Sequence, residues 1–348
     1  METFWYCAVT LMLAVYVVLD GYDFGVGMLY PLVARTEEER RMAMAAIGPV
    51  WSGNEVWLIA GGAVLFLAFP RAYAAGFSGF YLAMTIVLWL LIGRGLAIEL
   101  REHIDHPVWR SFWDMAFFAA STLLAIVFGT ALGNLIRGVP LDAEGYFFVA
   151  LWTDFFPGPD PGILDWFTVL FGITSAVLLT GHGANFLAMK TTGELQNRVR
   201  SAARLSGYAA VLFVALVLPA LSVVQPSFRL NYDAHPVGYA FPLVGLASLA
   251  ALLLFRSRNQ DTAAFFSSSL LLLGLLAGTA WGSYPKILIA TTNPSNSLTI
   301  INASAGNYGL QAAFWWFIIG LSIVIAYQTY IHRVFQGPVE LESRTPSQ

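Results

Sequence analysis

The sequence predicts an all-α integral membrane protein. Two observations carry this: 57% of its 348 residues are hydrophobic against 11% charged, with a mean hydropathy of +0.67, and the apolar residues gather in runs of about 20 or more. Soluble domains carry about 25% charged residues, so this chain has too few charges to solvate a globular surface. It has too much apolar bulk to stay disordered. Continuous rather than alternating runs exclude a β-barrel. The 15% aromatic content suits a lipid-facing bundle with interfacial anchors.

Nine runs are long enough to span: residues 4–30, 50–69, 72–100, 108–136, 165–189, 202–224, 237–255, 263–283 and 310–331. The first run has no basic leader and continues into polar residues, so it reads as a retained span rather than a cleaved signal. The basic residues set the orientation. With the N-terminus outside, only Arg71, Arg137, Arg229 and Lys286 fall on outer segments. The other 14 of the 18 Lys and Arg, from Arg35 to Arg344, fall inside. The C-terminus is then cytoplasmic. Two outer stretches, 137–164 and 284–309, are longer than the other connections but too short for separate domains.

The net charge of −3 offers no field for nucleic acid. Cys7, the one cysteine, rules out internal disulfides, thiolate metal cages and CxxC chemistry, and reads as a small apolar residue on a membrane helix. No Walker loop or dinucleotide fingerprint is present. The glycines of GYDFGVGM lack the strand context and third glycine that such sites need.

Ionisable residues inside spans are costly and call for a role. Asp20 and Asp23 of LDGYDFGVG are three apart and share a helix face. They read either as a proton-carrying pair or as a packing lock. Gly21 and Gly25 beside them allow a neighbouring backbone to approach. The second span opens with Trp51, Ser52, Gly53, Asn54, Glu55 and Trp57. Glu55 lies only a few residues inside, where it serves as a site of proton uptake or as an interfacial polar cap. His182, flanked by Gly181 and Gly183, is the one histidine inside a span. A relay or structural hydrogen bond suits it better than haem ligation, which needs more ligands and a second shell. Arg94, Glu99 and Asp114 read as anchors and ion-pair partners near the inner surface. All these polar residues map to the inner half, as a half-channel requires. A secondary transporter would place them at the midplane within broken helices. The span count alone also allows a transporter, a channel or a plain scaffold.

At these motifs the chain resembles a known family. LDGYDFGVGML, PVWSGNEVWLIAGGAVLFLAFPRAYA, GFSGFYLAM, WRSFWDMAFF, GNLIRGVP, HGANFLAMKTTGEL and NPSNSLTIINAS, in this order, resemble subunit II of the cytochrome bd-type quinol oxidases over nearly the whole chain. The resemblance implies a single polytopic domain of two four-helix bundles, residues 4–136 and 165–283, plus a peripheral ninth helix at 310–331. It implies a subunit that binds no haem itself, paired with a subunit I that holds the b-type haems, haem d and the quinol site. A small single-helix subunit often joins them, and some members hold a structural quinone in subunit II. The complex, in the bacterial inner membrane, oxidises quinol, reduces dioxygen to water and builds a proton gradient without pumping. Subunit II contributes to proton delivery from the cytoplasm. This places Glu55, Ser52, Asp23, Asp20 and His182 on a proton path. Trp51, Gly53, Asn54, Trp57 and Asp114 become structural motif residues. One departure stands out: relatives carry Asp where this chain has Ser52, and Glu55, on the same face, stands in for that acid. Apolar span faces and glycine steps such as Gly61 and Gly62 are expected to receive the partner.

Overall fold

The computed structural model describes residues 1–339; Arg344, counted among the inner basic residues, lies outside them. Twelve α-helices follow one another: α1 Glu2–Val33, α2 Glu37–Ile47, α3 Trp51–Ala68, α4 Pro70–Gly79, α5 Tyr81–Leu100, α6 Pro107–Arg137, α7 Trp166–Lys190, α8 Gly193–Val224, α9 Ser227–Ala234, α10 Ala240–Ser257, α11 Asp261–Ser283 and α12 Asn307–Val334. Among the described residues, nine helices are long and apolar enough to cross a membrane. They match the nine runs read from the sequence. α1 is the hub and packs on α3, α6, α7 and α11, while α10 packs on α11 and α8. α12 lies at the edge, with little of its apolar stretch buried. It leans on α3 and on the start of α1, where Phe4 meets Phe314 and Trp5 meets Phe317 edge-on.

The α1–α7 crossing is a backbone-to-backbone contact. A Cβ on Gly25 would sit 2.1 Å from the Leu179 carbonyl oxygen and 2.7 Å from Gly183 Cα. Gly183 therefore makes room for α1, not for the His182 ring beside it. Gly129 with Gly172 joins α6 to α7 in the same manner, and Gly245 with Gly274 joins α10 to α11. Without a hydrophobic drive between helices in lipid, such close packing supplies much of the association energy. Gly61 faces Leu13 of α1 at 3.1 Å, whereas Gly62 has nothing within 4 Å.

The structure corrects the reading of residues 31–100 in two places. The stretch 72–100 is not one helix but α4 and α5, broken at Phe80. Pro70 starts α4 at its first turn, and Gly76, Ser78 and Gly79 weaken its end. The Phe147 ring lies where a Gly79 side chain would be. The connection after α1 holds a further helix, α2. Thr36 caps it by accepting from the Glu39 amide at 3.2 Å, and the Glu39 carboxylate accepts from the Thr36 amide at 3.1 Å, a reciprocal capping box.

α2 docks through charge as well as through its buried Ala43, Ala46 and Ile47. Arg101, just past the end of α5, donates to Asp114 at 2.6 Å and to Glu37 at 2.9 and 3.1 Å. Asp114 also accepts from Tyr30 at 2.5 Å and from Arg40 at 3.0 Å, so one carboxylate ties α1, α2, α5 and α6 together. Partial burial pushes the Glu37 carboxyl up, but the hydrogen bonds and charge of Arg101, with Arg110 and Arg41, outweigh it and hold the group below the usual carboxylate range. Glu39 is likewise held low: burial raises it, and the Arg35 amide and Arg198 lower it further than that.

The two long connecting stretches, 137–164 and 284–309, form one cap. β1 (Lys286–Leu288) pairs antiparallel with β2 (Leu298–Thr299). The Val139 amide donates to the Ile289 carbonyl at 2.8 Å, and Thr291 donates back to Val139 at 2.9 Å. Leu141, Phe147, Val149 and Ile163 of the first stretch share a core with Leu288, Leu298 and Ile300 of the second.

Two outcomes follow from this packing. Gly25→Ala drives a methyl into the Leu179 carbonyl and costs about 1–3 kcal/mol as overpacking, read as a lower melting temperature of the purified complex. Gly309→Ala, with nothing within 4 Å, leaves it unchanged; equal melting of the two variants would remove the close crossing as a stabilising contact. Because the folded pKa values of Glu37 and Glu39 are depressed, their contribution is full above the free Glu value of about 4.3 and declines as pH falls through the lower folded values. Amide exchange in α2, corrected for intrinsic rate, should stay slow from neutral pH to about 5 and quicken below 4. Loss of protection already near pH 6 would assign the docking to other groups.

Candidate functional site

Polar residues of three spanning helices converge on one buried guanidinium. Arg94 is fully buried on α5, a helix whose other residues face mostly outward. Its Nη1 donates to Asp20 Oδ1 of α1 at 2.6 Å, and its Nη2 donates to Glu55 of α3. The guanidinium also lies over the Phe24 ring, 4.6 Å from the centroid. Three helices are thereby joined through one planar fork, which matches two carboxylates as an ammonium would not. Arg94 is thus the centre of the site, not an anchor at the membrane surface.

Asn54 organises the adjoining half. Its Nδ2 is shared among Asp23 Oδ2 at 2.9 Å, Tyr22 Oη at 2.8 Å and the Leu19 carbonyl at 3.3 Å. From α12, Gln328 Nε2 donates to the Gly53 carbonyl at 3.2 Å, and Gly53 lacks the side chain that would block it. His332, also on α12, lies 3.3 Å from Tyr22 Oη. Gln328 and His332 were missed by sequence reasoning. A glutamine within an apolar run was the available signal for the first, and nothing in the sequence pairs the second with Tyr22.

The second-span motif divides by helix face. Trp51 and Glu55, four apart, face α5: Trp51 lies on Gly95, and Glu55 meets Arg94. Asn54 and Trp57, three apart, turn inward and are buried. Ser52 is exposed and stands apart from this network, although it is three residues from Glu55. Glu55 retains 25% of its side-chain exposure while Arg94 and Asp20 have none. It is therefore the one carboxylate of the cluster in reach of the outside. Asp20 and Asp23 each keep one buried oxygen without a protein partner, as does the Tyr16 hydroxyl. Glu99 is exposed at the end of α5, and Asp114 serves the separate α2 cluster.

His182 is held at both ring nitrogens. Nε2 faces the Val18 carbonyl at 2.8 Å, and Nδ1 faces Ser268 Oγ at 2.7 Å. A carbonyl only accepts, so Nε2 carries the proton. The ring stacks on Phe265 at 5.0 Å. Neither nitrogen is free for iron, so these residues do not fit a haem. Among the described residues there is no cluster of three or more His, Cys, Asp or Glu able to hold a metal ion. The cavity beside His182, lined by Asn185 and Ser206, measures about 10 Å³, room for one water and far too small for a quinone ring. Asn185, buried with no protein partner for its amide, lines it.

At the opposite end of α6, Arg137 bonds Asp165, the Gly162 carbonyl at 3.0 Å and Asn134 at 2.7 Å. Asp165 caps α7 by accepting from the Thr168 amide at 2.8 Å. This buried ion pair fixes the turn into α7 and stands apart from the Arg94 site.

Known proteins agree with this architecture. Residues 1–335 match the family profile described as cytochrome bd terminal oxidase subunit II. The chain is 32% identical to the probable cytochrome oxidase subunit 2 of Haemophilus influenzae, over 97% of this chain and 94% of that one. It is 32% identical to the cytochrome bd ubiquinol oxidase subunit 2 of Bacillus subtilis, over 96% of each, and 29% identical to the cytochrome bd-I ubiquinol oxidase subunit 2 of Escherichia coli K12, over 97% and 95%. Its fold is similar to a chain of the bd oxidase from Geobacillus thermodenitrificans, with a TM-score of 0.73 over 96% of this chain and 98% of that one at 18% identity. With nine apolar helices, a profile match across nearly its full length and relatives aligned end to end, the chain belongs to the cytochrome bd terminal oxidase subunit II family.

Proposed function

We propose that this chain is the haem-free subunit of a quinol:oxygen oxidoreductase and that its Arg94 cluster conducts protons toward the oxygen site of a haem-bearing subunit I. The observation that carries the reading is the charge imbalance: one buried guanidinium pairs with Asp20 and Glu55, and a third carboxylate, the buried Asp23, adjoins them on Asn54 with no cation of its own. A single positive charge balances one of them, so the cluster has capacity for protons, which two neighbouring carboxylates share as a pair. Glu55 exchanges them at the exposed mouth. Asp20 passes them inward past Arg94, and Asp23, steadied by Asn54, receives them. The unpaired oxygens of Asp20 and Asp23 supply the acceptors, and water completes the chain. Ser52 flanks the mouth without belonging to the network.

In this reading the haems b and d and the quinol site lie in subunit I, and no step involving them runs through this chain. Residues 4–136 and 165–283 form two four-helix bundles, with 310–331 outside them. The N-terminus faces outward and the C-terminus the cytoplasm, so protons for water are drawn from the inner side and a gradient builds without pumping. The partner covers the apolar faces of α3, α5 and α12, where Ile59, Trp89, Trp316 and Ile323 are all more than 60% exposed. A single-helix subunit and a structural quinone are further components of the proposed complex.

A second reading has one observation in its favour: Arg94 ties α1, α3 and α5 together with no exposed surface of its own. The cluster is then a clamp alone.

Glu55→Gln keeps the shape and removes the titrating proton. Oxygen consumption with excess quinol should fall markedly while haem content is unchanged, and Ser52→Asp should be tolerated. Full turnover of Glu55→Gln from pH 6 to 8 would move the uptake site elsewhere. Arg94→Met strands buried carboxylates and costs about 3–5 kcal/mol, read as loss of assembled complex. Asp20→Asn with Arg94→Met restores assembly but not turnover; recovery of both would leave only the clamp.

A further inference from the structure

Between the end of α1 and the first turns of α8 lies a groove of about 520 Å³ that the Arg94 cluster does not use. Its wall is apolar, formed by Leu29, Val33 and Leu205, and Leu32 at its edge is 70% exposed. Its rim is polar and basic. Asn197, Arg198 and Ser201 lie along one face of α8, and Arg35 follows the end of α1. Arg204 adds a second turn of charge and reaches Ser201 Oγ at 3.4 Å.

The charges at this rim do not cancel. Arg198 is fixed by the Val33 carbonyl at 2.8 Å and by Glu39, so the carboxylate of Glu39 is committed. The Glu39 carboxylate also accepts from the Arg35 backbone amide at 2.7 Å, which orients the chain there. Among the described residues, the Arg35 guanidinium has no hydrogen-bond or ion-pair partner, and Arg204 bonds only a hydroxyl. The exposed Arg35 guanidinium, the Ser201 hydroxyl and the Asn197 amide line the rim, and the exposed Arg204 guanidinium stands beside it on Ser201. Guanidinium groups match the paired oxygens of a phosphate.

The wall decides what carries that phosphate. A soluble anion gains nothing from leucines, and a lipid with a neutral headgroup gains little from unpaired arginines. Basic pockets between membrane helices at the headgroup level select anionic lipids. We propose that this groove is a binding site for one anionic phospholipid, with its phosphate between Arg35, Ser201 and Arg204 and an acyl chain along Leu29, Leu32 and Leu205.

The test is native mass spectrometry of the assembled complex in mild detergent, titrated separately with dioleoyl phosphatidylglycerol and dioleoyl phosphatidylcholine. Wild type should retain one more phosphatidylglycerol than the double variant Arg35→Glu/Arg204→Glu, and should prefer it to phosphatidylcholine by at least about fivefold, as two added charges allow. Both replaced residues are exposed, and unchanged haem content and subunit ratio confirm intact assembly. Millimolar inorganic phosphate should leave the lipid in place; complete displacement would make the site one for free phosphate. Equal lipid retention by wild type and variant, or equal retention of both lipids by wild type, would overturn the proposal.

Discussion

A guanidinium sealed inside a membrane helix bundle must be answered by carboxylates, and the arrangement around Arg94 follows from that demand. α5 exposes apolar side chains along most of its surface yet points its one buried charge inward. Removing such a charge from water costs several kcal/mol, which close carboxylates offset only in good geometry. Asp20 and Glu55 supply that geometry from α1 and α3. α1 turns Asp20 toward Arg94 on one side, and on another its glycines let it lie directly against α7, at the centre of the molecule. The ion cluster and the glycine crossing therefore depend on one helix, and α1 carries the two aspartates, Tyr22 and the close-packed Gly25.

The transmembrane helices were legible because a run of 20 apolar residues has few other physical uses. What failed lay at the interruptions. α2 was passed over as a connection because it is too polar to span, although its Thr36–Glu39 capping box stood in the sequence. The break at Phe80 went unseen because Gly76 to Gly79 lie inside an otherwise apolar run, and it is the Phe147 ring, nearly seventy residues on, that occupies the gap.

The candidate site was legible by residue but not by partnership. Asp20, Asp23, Asn54 and Glu55 each drew attention as polar groups in hydrocarbon. Arg94 was read as an interfacial anchor because its distance from the helix end was the only information available. Which helices face each other is not encoded in any one helix's periodicity, so Arg94 could not be matched to Asp20 and Glu55. Ser52 shows the converse: three-residue spacing put it beside Glu55, but the helix turns it outward. His182 is not the one histidine within a spanning helix, since α12 carries His332 to Tyr22, and the partners of His182, Val18 and Ser268, come from two other helices.

The cap built from 137–164 and 284–309 adds a constraint on how the chain is made. Leu141 receives its hydrogen bond from Thr292, 151 residues later, and Val139 pairs with the same late segment. A ribosome delivers the first half of this cap when only the first four long helices exist. The groups on Val139 and Leu141 that pair with the late segment then wait through the synthesis and insertion of four more. The stretch 137–164 therefore has only its own internal hydrogen bonds for that whole interval. Its run of turns and acidic residues, Asp142, Glu144, Asp154 and Asp160, suits a segment whose partner arrives last, since it gives neighbouring chains little to pair with in the meantime.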